Sequence, residues 1–124
     1  MKIIASDKAP KALGPYSQAV LVGTTLYLSG QIAINRATGE FVQNNIETET
    51  EQIMHNIEAV LEEAGYGFRN VVKTTIFATD IKDFEAINGV YAKYFKSEPP
   101  ARSFVQVAAL PKGARVEIEA IAYK

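Results

Sequence analysis

The stretch Ile46–Thr79, IETETEQIMHNIEAVLEEAGYGFRNVVKTTIFAT, decides the fold because its hydrophobic period changes halfway along it. Up to Ala64 the apolar residues recur with the spacing of one helical face, and the glutamates lie mostly off that face. Gly65 is a good C-terminal stop for this helix. From Val71 to Thr79, β-branched and aromatic residues predict a strand. The apolar stripe of the helix consists of Ile46, Ile53, Met54, Ile57, Val60, Leu61 and Ala64.

On the N-terminal side of this unit, two β-prone runs predict a hairpin. Ala19–Val22 and Thr25–Ser29 are separated by Gly23-Thr24, a two-residue loop with glycine first, and this loop suits a type II′ turn. The segment Asn35–Gly39 then has turn chemistry.

The C-terminal side predicts a second helix and two further strands. Asp80 and Asp83 are both plausible N-caps for the helix, and Pro99-Pro100 ends it. Strands are predicted over Ser103–Leu110 and Arg115–Tyr123, joined by residues 111–114. The apolar stripe of this helix consists of Phe84, Ile87, Tyr91, Tyr94 and Phe95.

The predicted element order is therefore β-β-α-β-α-β-β. This order predicts an α+β fold, a two-layer sandwich in which two helices cover one face of a mostly antiparallel sheet. Several strands also carry apolar residues on the other face. In so small a chain, another subunit is the simplest cover for that face.

Composition limits the protein class. The 124 residues fit one domain over 1–124, and with no cysteine there is neither a disulfide framework nor a thiolate nucleophile. A net charge of −1 lacks the basic excess of a dedicated nucleic-acid binder. The uncharged stretch Ala12–Asn35 has too many glycines and polar residues for a membrane helix, and the N-terminal apolar run is too short for a signal segment. We expect a cytoplasmic protein.

Three residues are candidates for charge-based chemistry. Arg102 opens a predicted strand, so its guanidinium has a fixed origin, and a guanidinium binds a carboxylate through two parallel hydrogen bonds. Glu117 and Glu119 share one face of the last strand, where a carboxylate can orient a water and exchange its proton. A soluble edge arginine and a solvated strand face with Arg115 as local partner are the commoner alternatives, and spacing alone leaves both open.

The remaining candidates are uncharged or isolated. Gly14-Pro15 is a turn that directs Tyr16, and Ser29-Gly30 interrupts an apolar strand where glycine permits close backbone approach. Asn88, on the second helix, is as compatible with an interhelix contact as with a ligand contact. His55, the only histidine, has no co-ligand nearby in the sequence, so we predict a surface position and no metal site.

Long segments of the chain resemble the RidA (YjgF) reactive-intermediate deaminase family. The resemblance is carried by residues 100–105, PARSFV, by residues 110–112, LPK, and by residues 116–122, VEIEAIA. Residues 14–19, GPYSQA, and 29–32, SGQI, are similar to the family's opening, and residues 72–77, VKTTIF, to its middle. The likeness extends over essentially the whole chain.

This resemblance implies a homotrimer of chorismate-mutase-like subunits with active sites in the clefts between them. The family's functional positions fall on Tyr16, Ser29, Asn88, Arg102 and Glu117, so the resemblance selects the first of the two glutamates. The Gly30 backbone and Phe104 are implied to line the substrate pocket as well. Many members have a cysteine where this chain has Phe104, so pocket size and substrate preference are expected to differ.

The implied activity is that of a hydrolase acting on C–N bonds. It converts 2-imino acids such as 2-iminopropanoate and 2-iminobutanoate to 2-keto acids and ammonia, with no cofactor. The implied metabolic partners are pyridoxal-phosphate-dependent dehydratases, which release the enamine precursors and are themselves protected from damage. The alternatives are a non-catalytic regulator that binds small acids in the same cleft, and RNA cleavage, which the charge balance disfavours.

Overall fold

The computed structural model describes residues 1–124 as a six-stranded sheet with two α-helices. The helices are α1 (Ile46–Glu63) and α2 (Phe84–Tyr91). The strands are β1 (Lys2–Ile4), β2 (Ala19–Val22), β3 (Thr25–Gln31), β4 (Val71–Ala78), β5 (Ala101–Gln106) and β6 (Val116–Tyr123). Single 3-10 turns lie at Phe68–Asn70, Ile81–Asp83, Ala92–Tyr94 and Pro111–Gly113.

The sheet has the strand order β1-β2-β3-β6-β4-β5. Every pair is antiparallel except β4 with β5, which is parallel because α2 lies in the crossover between them. The two helices pack against each other and cover one face of the sheet. The predicted α+β sandwich with a mostly antiparallel sheet is confirmed.

Alternation along the strands gives the sheet two different faces. On the helix face, Leu26, Ile76 and Ile118 are fully buried and join the apolar stripe of α1 in one core. On the opposite face, which we call the open face, Ile3 is 60% and Tyr123 57% exposed, and Val22, Tyr27 and Val105 are also exposed. The open face is therefore apolar and uncovered within one chain, as the sequence predicted.

The strands differ most from the prediction at β1 and β5, and the other strand ends differ by one or two residues. β1 was not predicted, because a three-residue run shows no alternation, and it forms only by pairing with β2. β5 begins at Ala101 and ends at Gln106, whereas the sequence predicted Ser103–Leu110. Its parallel partner β4 ends at Ala78, whose carbonyl accepts the last bond, from the Val107 amide, so residues beyond it have no strand to pair with.

The hairpin turn follows the prediction, but the second helix differs from it, since α2 ends at Tyr91, short of the predicted stop at Pro99-Pro100. Gly23 has φ +61° and Thr24 is not among the residues with positive φ, which agrees with the type II′ hairpin. Asp80 caps a 3-10 turn by accepting from the Lys82 amide, while Asp83 precedes α2 without a side-chain capping bond. Neither helix has the length and apolarity needed to span a membrane.

Candidate active site

The predicted site residues fall into two groups that lie apart in the chain. One group lines a cleft of about 560 Å³ that we call the glutamate cleft; from the predicted set it contains Tyr16, Ser29, Gly30 and Glu117. The other group, which we call the arginine cluster, contains Arg102, Asn88 and Phe104, together with Phe84 and Tyr91.

The strand register places the two groups on opposite faces of the sheet. Arg102 is aligned with Thr74 on β4, and Thr74 with Ala120 on β6; both are buried beneath the helices, so Arg102 begins on the helix face. Glu117 lies between the fully buried residues Val116 and Ile118, so its side chain is on the open face. One chain therefore does not bring its arginine and its glutamate together.

Glu117 is a half-buried carboxylate without a compensating charge. Burial, and secondarily the negative charge of Glu119, raises the pKa of Glu117. Arg115, the alternative partner considered from the sequence, instead forms an ion pair with Glu49 on α1 at 2.6 Å. Glu117 forms no ion pair at all within the chain. It therefore has the properties of a general base that is stronger than an ordinary surface carboxylate.

Gly30 is required by the approach of β3 to this carboxylate. The β3–β6 register shifts between Leu28 and Gln31, which confirms the irregularity suggested by Ser29-Gly30. A β-carbon on Gly30 would stand 2.6 Å from Glu117 Oε2 and 2.8 Å from its Cδ. No side chain fits at that position without moving the carboxylate.

Ser29 and Tyr16 connect the glutamate cleft to the N-terminal loop. The Ser29 hydroxyl donates to the Ser17 carbonyl at 2.6 Å, so its proton is engaged and its lone pairs remain available as acceptors. Tyr16 is 53% exposed and lines the cleft. Tyr16 therefore lines the same cleft as Glu117 with its ring partly free.

The arginine cluster holds the Arg102 guanidinium in an aromatic and amide environment. Arg102 Nη1 donates to Asn88 Oδ1 at 2.5 Å. The guanidinium carbon is 5.1 Å from the ring centroid of Tyr91, 5.7 Å from that of Phe84 and 5.8 Å from that of Phe104. No carboxylate of the chain pairs with Arg102, so most of its donors remain available to a ligand.

Several residues of these two groups were not predicted as site residues, among them two aromatic and two lysine side chains. Phe84 and Tyr91 were interpreted only as core positions of the second helix; with Asn88 they have the i, i+4, i+7 spacing of one helical face, which is the signal that could have found them. Lys11 and Lys112 line the glutamate cleft. Lys112 is the one non-glycine residue with a left-handed backbone, φ 58°, next to Pro111 and Gly113.

The histidine lies away from both groups. His55 is exposed on α1, as predicted, with its Nε2 3.7 Å from a Glu51 carboxylate oxygen. The chain contains no group of three or more histidine, cysteine, aspartate or glutamate side chains placed to hold a metal ion.

Comparison with known proteins agrees with the residue patterns. The family model described as "Endoribonuclease L-PSP" matches residues 6–124. A Capra hircus protein named 2-iminobutanoate/2-iminopropanoate deaminase is 54% identical over 121 residues, covering 98% of this chain and 88% of that protein. A crystal structure of a Thermotoga maritima protein titled a putative endoribonuclease superposes with a TM-score of 0.98 at 51% identity, covering 100% of this chain and 98% of that one.

A structure with a bound ligand is also similar. The Escherichia coli protein TdcF, solved with bound serine, superposes with a TM-score of 0.96 at 40% identity, covering 100% of this chain and 99% of that one.

Proposed function

The chain belongs to the RidA/YjgF family, and on this premise we propose that it hydrolyses 2-imino acids to 2-keto acids and ammonia. The relatives named 2-iminobutanoate/2-iminopropanoate deaminase are about half identical to it over nearly its whole length. The structural neighbour TdcF was solved with bound serine, a molecule that carries an amino-acid carboxylate.

One observation supports this function most directly: Arg102 has no acidic partner and Glu117 has no basic one. A 2-imino acid supplies what each residue lacks, because it carries a carboxylate next to an electrophilic imine carbon. Arg102 binds the carboxylate through two parallel hydrogen bonds, and Asn88 holds the guanidinium by accepting from Nη1. Ser29, the Gly30 backbone, Phe104 and Tyr16 line the remainder of the pocket.

The separation of the two groups within one chain supports a site formed between chains. Arg102 begins on the helix face at the free edge of β5, while Glu117 faces the open side of the sheet. The open face carries exposed apolar side chains, among them Val105 on the edge strand. A homotrimeric ring, in which each β5 edge meets the glutamate cleft of the next copy, covers this face and completes three sites.

In the reaction, Glu117 holds a water against the imine carbon. The water oxygen bonds to that carbon, the carbon–nitrogen π bond opens onto nitrogen, and a water proton passes to the Glu117 carboxylate. Glu117 returns this proton to nitrogen, which gives a carbinolamine that carries a hydroxyl and an amine. The carboxylate then takes the hydroxyl proton and delivers it to the amine nitrogen, so the carbon–nitrogen bond breaks, the carbonyl forms and ammonia leaves. The balance is one imine and one water giving one keto acid and one ammonia, with no oxidant and no cofactor.

A known class of enzyme produces the proposed substrate. Dehydratases that use pyridoxal phosphate release enamines from serine and threonine, and these tautomerise to 2-imino acids. The proposed role is to remove them before they damage such enzymes.

The test is the appearance of keto acid from an imine generated in situ, with and without the protein. Arg102→Ala should abolish the acceleration, whereas Arg69→Ala, which removes an exposed guanidinium elsewhere, should retain it. Glu117→Gln should lose catalysis and Glu119→Gln should keep most of it, although both remove the same charge from the same strand face. Equal losses for the two glutamates would refute the assignment of Glu117.

Two other outcomes would replace the proposal. Carboxylate binding without any acceleration by the wild-type protein would indicate a regulator that uses the same cleft. Cleavage of RNA that is lost with Arg102→Ala, in a protein inactive on imines, would indicate a nuclease.

A further inference from the structure

We propose that Glu49 is a positioning residue for this reaction: it holds the Arg115 guanidinium under α1 and so keeps it away from the Glu117 carboxylate. The proposal rests on the proposed function, in which Glu117 is the base. It assigns a role to a buried ion pair that binds no substrate.

The Glu49–Arg115 pair is the only ion pair of the chain with a buried carboxylate. Glu49 lies in the first turn of α1, its side chain is 1% exposed, and its Oε2 accepts from Arg115 Nε at 2.6 Å. The other two ion pairs share the partly exposed Glu51. An unpaired charge at the position of Glu49 would be strongly unfavourable, so the carboxylate retains its guanidinium.

Arg115 is close enough to Glu117 to compete for it. Arg115 comes directly before β6, two positions ahead of Glu117, so in extended backbone the Cα atoms of the two residues are about 7 Å apart. The Arg115 backbone is fixed, because its carbonyl accepts from the Thr79 amide at 3.0 Å. Its side chain is 41% exposed and can turn. The bond to Glu49 therefore determines which carboxylate the guanidinium serves.

No other charged group around Glu117 forms an ion pair with it, so the position of the Arg115 guanidinium decides whether Glu117 has a cationic partner. Glu119 faces it from β6, Tyr16 and Lys11 come from the N-terminal loop, and Lys112 comes from the turn before β6. Neighbouring positions on β3 and β4 contribute Ser29, Gly30 and Phe77, none of which is charged. Neither lysine forms an ion pair with Glu117.

A guanidinium in contact with Glu117 would change its chemistry. Opposite charge at contact distance lowers a carboxyl pKa by about 1–3 units. A carboxylate of lower pKa is a weaker base, so it takes the water proton less readily. Retaining Arg115 under α1 preserves the basicity that burial gives to Glu117.

A purely structural role for the pair predicts a different result. If Glu49 only fastens α1 to β6, its loss lowers stability and leaves the acid limb of the pH–rate profile unmoved. The experiment therefore compares Glu49→Gln, Arg115→Gln and the double variant Glu49→Gln/Arg115→Gln. The readouts are the pH dependence of kcat/KM and the NMR titration of the Glu117 side-chain carboxyl.

In Glu49→Gln the freed guanidinium should move both the acid limb and the Glu117 titration to lower pH, by about one unit or more. The double variant should return both to the wild-type position, and Arg115→Gln alone should leave them there. A folded Glu49→Gln variant with unmoved midpoints would overturn the proposal. So would an upward shift in the double variant, which leaves no unpaired buried charge and therefore remains informative if either single variant does not fold.

The carboxyl titration separates this proposal from the proposed function, because it needs no turnover. If the wild-type protein is inactive but Glu49→Gln still moves the Glu117 titration, the proposed function is refuted. The positioning role of Glu49 toward Arg115 and Glu117 is then retained. An active wild-type protein with no such movement would refute the positioning role alone.

Discussion

A mixture of two inactive variants should recover activity if Arg102 and Glu117 of each site come from different copies. Each chain carries the two side chains on opposite faces of its sheet, so Arg102→Ala and Glu117→Gln damage opposite sides of the same interface. Chains of the two variants, unfolded together in equal amounts and refolded, assemble at random. A site is intact only when an Arg102→Ala chain supplies the glutamate and a Glu117→Gln chain supplies the arginine, which makes about a quarter of all sites.

The recovered signal is large compared with the activity of either variant alone. Loss of a buried charge-assisted pair to the carboxylate costs about 2–5 kcal/mol, and loss of a general acid–base costs on the order of 10²–10⁴-fold in rate. Each variant should therefore retain no more than about 3% of wild-type activity. The keto-acid assay resolves about 25% from this background.

Wild-type protein refolded with the double variant Arg102→Ala/Glu117→Gln supplies the control. If the two side chains come from different copies, about a quarter of the sites are intact in this mixture too; if they come from one copy, about half are intact and the mixed single variants recover nothing. Absence of recovery in refolded mixed trimers would refute the inter-chain site.

Three further predictions follow from individual side chains. Gly30→Ala should lower kcat/KM at least about tenfold, since its β-carbon would stand 2.6 Å from Glu117 Oε2. In the control Gly89→Ala on α2, the added β-carbon meets no atom within 4 Å, so activity should be kept and stability should rise by up to about 1 kcal/mol. Because the folded-state pKa of Glu117 is raised above 4.5, its charge destabilises the fold above that pKa. Glu117→Gln should therefore raise the melting temperature at neutral pH but not at acid pH. An equal rise at neutral and at acid pH would contradict this electrostatic cause. Val105→Asp should yield inactive 13.6 kDa monomers by sedimentation, because it puts a charge on the open face. His55→Asp, on the exposed side of α1, should remain assembled.

Long periodic segments of this fold could be predicted from the sequence because their pattern is local. The stripe of α1 runs for five turns, and the hairpin at Gly23-Thr24 depends on one backbone conformation. β1 and the end of β5 could not be predicted in the same way. Both depend on where a distant partner strand begins or ends, and no local pattern records this.

The site residues show the same distinction between local patterns and contacts with distant segments. Local sequence identified the residue types: a guanidinium after Pro99-Pro100, and two carboxylates in alternation on the last strand. It left open whether Arg115 neutralises them. The structure answers with the ion pair to Glu49, a residue 66 positions away in the sequence, and with Gly30 against Glu117. It also shows that Phe84 and Tyr91 surround Arg102 and are more than core residues.

By itself, the sequence determined the α+β class, the main helix, an apolar second face and the chemical identity of the site residues, because periodicity and residue type are properties of neighbours along the chain. Only the tertiary structure decided which face of the sheet each residue occupies and which charge each carboxylate meets. Those depend on strand register and on the packing of α1 against β6, which join positions far apart in sequence. The pairing of Glu49 with Arg115 is such a contact, and it leaves Glu117 without a cation.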